Sequence, residues 1–379
     1  MENPTAFTIE VPQAILDDLK IRLAQTRWTD EPANAGWSYG TNPAYLRQLC
    51  TYWKDKYDWR RQESILNGFA QFKTTIDGIG IHFLQVKGTG KDPKPLLLTH
   101  GWPDSFYRFY KAIPMLSNPA GYGLDPDLSF DVIVPSVPGF AFSDRVAQNS
   151  DRTAALWAKL MTGVLGYKTF FAAGGDIGAM ITKSLANQFP TAVKAIHLTD
   201  VGYPTGRENW ATMSAPEQEF GQFIQRWWYT EGAYNMLQSS KPQTLGYGLN
   251  DSPIGLASWI VEKFYGWSGN PKNLESHFSK DELITNIMIY WITQTINTSI
   301  RTYAEEARAG WTTGLRSAER VDIPTGVALF PGDAPFPMEW IRRKVNAQHV
   351  SKFEKGGHFA ALDSTETWVK DLRDFFGSY

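Results

Sequence analysis

A chain of 379 residues is long enough for one large core with an elaboration, so a single catalytic body with additions is expected in place of several independent modules. Its 37 Lys+Arg against 39 Asp+Glu leave a formal net charge of −2, which gives no electrostatic pull toward nucleic acid or anionic lipid. Cys50 is the lone cysteine, and the sequence shows neither a signal peptide nor a run of about 18 apolar residues, so a soluble, cytoplasmic protein free of membrane contact is expected.

Residues 1–93 alternate helical and strand patterns and read as a helical arm leading into a sheet. VPQAILDDLKIRLAQTRW places Ile15, Leu16, Leu19 and Leu23 on one helical face, with Pro12 in the first turn. NPAYLRQLCTYWKDKYDWRRQESILNGF reads as a second helix and its exit, and FKTTIDGIGIHFLQVKG as a hairpin turning at Asp77-Gly78. From Pro95 the apolar runs PLLLTH, FDVIVPSVPG, KTFFAAGG and VKAIHLTD lack polar alternation, which suits strands of a mostly parallel sheet covered on both faces; this half spans 94–200. Residues 201–318 are helical and rich in aromatics, with Ser279 and Glu282 forming a capping box, and read as a lid over the carboxyl ends of the strands. PTGVALF and HVSKFEK return to the sheet in 319–379, so the fold class is α/β with helices on both faces.

FFAAGG runs directly into the helical span DIGAMITKSLANQF, so Asp176 sits at a strand-to-helix turn between Gly174 and Gly178, an arrangement that projects a nucleophile into a pocket. Asp before a helix is also a common N-cap, and for an isolated Gly-Asp-x-Gly capping is the better reading. Chain order adds to the first reading: nucleophile, acid and His should each follow a strand. Of six histidines, His358 lies in the Gly-rich loop EKGGHFAAL after the last expected strand. His82 and His197 fall within strands, His277 in a lid loop and His349 at the start of the last strand, and these read as structural. The acid should follow PTGVALF, which favours Asp333 in LFPGDAPFP, with Glu339 competing from the helix PMEWIRRKV; Asp322 falls before that strand and Glu354 within the next. LLLTHGWPDSF supplies a loop whose Trp102 amide, with that of Ile177, can form an oxyanion hole, while His100 reads as satisfied by nearby backbone.

Taken together, HGWPDSFYRFY, PSVPGFAFSD, GGDIGAMI, LNDSPIGLASWIVEKF and GGHFAAL resemble the epoxide hydrolases of the α/β-hydrolase superfamily, in particular the microsomal-type branch with an N-terminal helical domain, over nearly the whole chain. The resemblance implies the α/β-hydrolase fold, Asp176 as nucleophile, Asp333 as acid partner and His358 as base. It also implies two lid tyrosines, Tyr234 in TEGAYNMLQ and Tyr303 in IRTYAEEA. Two departures stand out: the chain starts at the arm without an anchor helix, implying a soluble form, and Ile177 stands where Trp is frequent beside the nucleophile.

A carboxylate of ordinary pKa near ~3.9 is ionised at neutral pH unless burial raises it strongly, and it can displace at saturated carbon without a base. The matching electrophile is an epoxide or an alkyl halide. Opening an epoxide develops an alkoxide, for which a tyrosine O–H with a pKa of about 10 is a suitable donor. Water activated by His358 would then release a vicinal diol. No HExxH, phosphate loop or dinucleotide fingerprint is present, so neither metal nor cofactor is implied. A haloalkane dehalogenase is the nearest rival, but Ile177 offers no side-chain N–H to a halide; a non-catalytic small-molecule binder would have no use for the complete set. Trp227, Trp228, Trp259 and Trp291 suit an apolar or aromatic substrate, or equally a lid core, and the arm could wrap its own body or that of a homodimer partner.

Overall fold

The computed structural model describes residues 2–206, 208–269, 273–312 and 319–379. The arm begins with β1 (Thr5–Phe7) and α1 (Gln13–Ala24), in which Leu16, Leu19 and Leu23 are buried and Pro12 is the N-cap, one position before the first turn. The expected second helix is two. Asn42 caps α2 (Pro43–Asp55), and Asp58 restarts the chain by accepting from the Arg61 amide at the head of α3 (Trp59–Leu66). β2 (Gln71–Ile76) and β3 (Ile79–Val86) form the hairpin, with Asp77 at φ 52° and Gly78 at φ 78°, the left-handed pair that a two-residue turn requires.

The body then alternates: β4 (Lys94–Thr99), α4 (Ala112–Ser117), β5 (Phe130–Pro135), α5 (Ser150–Lys159), β6 (Phe170–Gly174), α6 (Ile177–Gln188) and β7 (Val193–Leu198). Leu96, Leu97, Leu98, Val132, Ile133, Ala172 and Ala173 are completely buried, so these strands have apolar neighbours on both faces. Between β7 and the next strand lie the lid helices α7 (Ala215–Thr230), α8 (Ala233–Ser240), α9 (Pro242–Asp251), α10 (Pro253–Gly266), α11 (Lys280–Thr293) and α12 (Ile296–Thr312). The Ser279–Glu282 capping box is present at the head of α11. The chain closes with β8 (Val321–Leu329), α13 (Met338–Lys344), β9 (Val345–Lys352), α14 (Ala360–Asp363) and α15 (Thr365–Phe376).

The sheet has nine strands in the order β1-β2-β3-β5-β4-β6-β7-β8-β9, antiparallel from β1 to β5 and parallel from β5 to β9. The arm packs on its own chain's lid. Tyr52 donates to Asp281 at 2.9 Å, Thr41 to the Ser258 carbonyl at 2.6 Å, Arg22 pairs with Asp251 at 2.9 Å, and Trp37 stacks on Tyr265 at 3.7 Å. Among the described residues no helix is long and apolar enough to cross a membrane.

Candidate active site

β6 ends at Gly174 and α6 starts at Ile177, which leaves Asp176 on the turn at φ 57° and ψ −132°. A non-glycine residue held there costs about 1–3 kcal/mol and persists only where its surroundings fix it. Close approach of backbone is what fixes it: a Cβ on Gly178 would meet the Thr99 carbonyl oxygen at 2.1 Å, and one on Gly101 would meet Asp176 Oδ1 at 2.3 Å. Asp176 occupies the N-cap position yet makes no side-chain capping bond; its Oδ1 accepts from the Trp102 amide at 2.8 Å instead. Burial pushes its carboxyl above the ordinary value, against the His358 ring and the Trp102 and Ile177 amides, which favour the charge.

His358 Nε2 lies 3.6 Å from Asp176 Oδ2, and Nδ1 donates to Asp333 Oδ2 at 3.1 Å. Two backbone contacts bring the acid and histidine loops together: Gly332 forms a parallel bridge with Gly357, and its amide donates to the Gly356 carbonyl at 3.2 Å. Burial alone would lower the His358 ring, but the charge and hydrogen bond of Asp333, helped by Asp176, leave it raised. The reciprocal holds for Asp333: burial opposes its charge, and His358 and the Ala334 amide hold it below its ordinary value. The competing acids point elsewhere. Glu339 is exposed on α13, Asp322 is the exposed second residue of β8 and does not precede it, and Glu354 is exposed beyond the end of β9.

Tyr234 on α8 and Tyr303 on α12 are 7% and 8% exposed, with ring centroids 6.0 Å apart. Trp102 stacks on Tyr234 at 5.4 Å and meets Tyr303 edge-on at 5.9 Å, so the loop whose amide binds the Asp176 carboxylate packs against both phenols. Burial, then the negative charge of Asp176, raises Tyr234; burial, then Tyr234 and Asp176, raises Tyr303, which keeps both phenols protonated. The Tyr303 hydroxyl interacts with that of Tyr234, which opposes the rise of Tyr234 and adds to that of Tyr303. Trp267 tilts against Tyr234 at 5.3 Å and Trp227 meets it edge-on at 6.4 Å; Trp228 contacts Trp227, Trp259 donates to Gln238, and Trp291 packs under Arg22 of the arm.

Residues 4–109 match the family described as "Epoxide hydrolase N terminus" and residues 94–238 that described as "alpha/beta hydrolase fold". A putative epoxide hydrolase of Stigmatella aurantiaca is 40% identical, across 98% of this chain and 84% of that protein. The chain belongs to the epoxide hydrolase family. Epoxide hydrolase 1 of Sus scrofa is 37% identical over 99% of this chain and 89% of its own. Among solved structures, the juvenile hormone epoxide hydrolase of Bombyx mori superposes with a TM-score of 0.85 at 31% identity, covering 100% of this chain and 94% of that one. The Aspergillus niger epoxide hydrolase gives 0.85 at 30%, covering 100% and 97%. The fold of this epoxide hydrolase is thus the α/β-hydrolase fold.

The remaining histidines of this family member are held by structural partners. His82 is bound by Ser136 and Gln71, each at 2.9 Å, and His100 donates to the Gly101 carbonyl and accepts from the Val137 amide. His197 and His349 share Asp371, and His277 faces Asp363 at 3.5 Å. His349 stands in the middle of β9, which begins four residues earlier than expected. Sequence reasoning missed Asp104 and Arg108. Arg108, 2% exposed, pairs with Asp104 and donates to the His358 carbonyl at 2.6 Å, while Asp104 also accepts from the Gly101 amide at 2.8 Å. Their i, i+4 spacing in PDSFYR was the available signal, since it places opposite charges side by side on one helical turn. Among the described residues no cluster of three or more His, Cys, Asp or Glu side chains could hold a metal.

Proposed function

We propose that this epoxide hydrolase works in two covalent steps on residues of one pocket. Asp176 Oδ attacks a ring carbon; the carbon–oxygen bond breaks, its electron pair stays on the ring oxygen, and Tyr234 and Tyr303 meet the alkoxide with their O–H groups. The result is a hydroxyalkyl ester of Asp176. His358, oriented by Asp333, then takes a proton from water, whose oxygen adds to the ester carbonyl, and the amides of Trp102 and Ile177 stabilise the oxyanion. Collapse releases the vicinal diol and restores the carboxylate, which retains the oxygen from water.

The observation that carries this reading is the placement of Asp176: its carboxylate accepts the Trp102 amide at 2.8 Å and stands 3.6 Å from an imidazole whose other nitrogen is bound to Asp333. A cytoplasmic site of action belongs to the same proposal, in keeping with the lone buried thiol of Cys50. Haloalkane dehalogenation has one group in its favour, the buried Trp102 Nε1 without a partner among the described residues, but Ile177 gives no second side-chain donor.

The test is trapping. With a styrene oxide substrate, His358→Ala should accumulate protein heavier by one epoxide, and wild type turned over once in heavy-oxygen water should carry the label in Asp176. Label in the diol alone would rule out the ester. Halide release from bromoalkanes at rates matching diol formation would favour the dehalogenase.

A further inference from the structure

Lys263 is a buried cation for which the two steps above have no use. It lies on α10, is 5% exposed, and its Nζ stands 4.7 Å from the ring centroid of Tyr234 and 5.7 Å from that of Trp267. Its ion-pair partner is the adjacent Glu262, at 2.5 Å, whose side chain is 26% exposed and so partly screened by water. Among the described residues no cation lies over the Tyr303 ring, so the two phenols sit in different fields.

Resting on the two-step reading, we propose that Lys263 is a positioning residue that makes Tyr234, and not Tyr303, the group that gives its proton to the opening ring. Before attack, Tyr234 feels the negative Asp176, which disfavours a phenolate, and the positive Lys263, which favours one. Attack turns Asp176 into a neutral ester and leaves Lys263 unchanged. The balance at Tyr234 therefore tips toward ionisation at the moment the alkoxide needs a proton. Negative charge left on the phenolate spreads over the ring whose face Lys263 meets, where a poorly hydrated cation acts most strongly. Tyr303, with no such cation, keeps its proton and serves as a hydrogen-bond donor to the same oxygen. The proton that Tyr234 loses returns from the water consumed in ester hydrolysis, so the cycle balances. Glu231 and Glu262 are the acidic groups flanking Lys263, and Asp176, Asp200 and Tyr303 are the ionisable groups that act on Tyr234.

The experiment follows ring opening alone, as the rate of ester formation in the His358→Ala background. Lys263→Met should slow it roughly 10-fold or more at saturating epoxide, as expected when a general acid loses the charge that favours its ionised form, with little change in half-saturation. Lys263→Arg, which keeps the charge, should recover most of the rate. In a double-mutant cycle Tyr234→Phe should lose most of its effect once Lys263 is Met, whereas Tyr303→Phe should cost the same in either background. An unchanged rate in Lys263→Met, or equal coupling to both tyrosines, overturns the assignment. If Lys263→Met does not fold, folded Lys263→Arg decides: a loss as large as that of Tyr234→Phe refutes a role for charge, and a preserved rate supports it. Failure of His358→Ala to form any adduct refutes the two-step reading itself, which separates the two outcomes.

Discussion

The His358 ring is raised in the free protein by Asp333 and, further down, by Asp176, against burial. Alkylation removes the charge of Asp176 while burial and Asp333 remain. His358 should therefore titrate above its ordinary value of about 6.5 in the free enzyme, as followed by NMR, and at lower pH in the ester, as read from the pH dependence of ester decay in single turnover. As the base acts in its neutral form, decay should quicken as pH rises through that lower value. Asp333→Asn should lower both titrations and slow decay by roughly 100-fold or more; coincident titrations in free and alkylated protein would contradict the assigned neighbours. That Asp176, Asp333 and His358 come together was legible in the sequence because each sits in a short Gly- or Pro-marked loop behind a strand. Lys263 and Arg108 could not be assigned, because what gives each its meaning is a contact made only on folding, with the Tyr234 ring for one and the His358 carbonyl for the other.

At the scale of elements, Asp371 on α15 ties two strands, accepting from His197 of β7 at 2.8 Å and His349 of β9 at 2.7 Å. Burial disfavours its charge, yet the His197 hydrogen bond and charge and the bonds from Ser351 and His349 hold it at about 2. A depressed carboxylate contributes stability that is present above its ordinary value and lost as pH falls toward the folded one. Between about pH 4 and pH 2, then, wild type should lose melting temperature faster than Asp371→Ala, and at neutral pH the variant should be less stable by about 1–3 kcal/mol, the cost of stranding a buried partner. Equal slopes in acid would show that the histidines do not hold it. Elements were most legible where the signal is local: the Asp77-Gly78 turn, the Ser279 capping box and the leucine stripe of α1. They were least so where tertiary pairing decides. β1 is three residues long and exists through its bonds to β2, and β8 starts ahead of PTGVALF because Val321 pairs with Val345.

Across the whole molecule the helical part of the arm grips the lid, through Trp37 on Tyr265, Thr41 on Ser258 and Tyr52 on Asp281, while β1 to β3 extend the sheet. Composition could suggest a helical arm but not what it grips, since those contacts span more than 200 residues of sequence, |i−j| being 217 for Thr41 and 229 for Tyr52. Trp37→Ala should forfeit about 0.5–1.5 kcal/mol of stacking beyond its burial. The loss should appear as faster amide hydrogen exchange in α10 and α11, with β4 to β6 unchanged; uniform acceleration would mean that the arm supports the entire fold.

The amide of His358 donates to the Trp267 carbonyl at the end of α10, and its own carbonyl is gripped by Arg108 from beneath. The His358 backbone is thus tied on one side to the last turn of α10 and on the other to the loop after β4, so its placement depends on both halves of the chain at once.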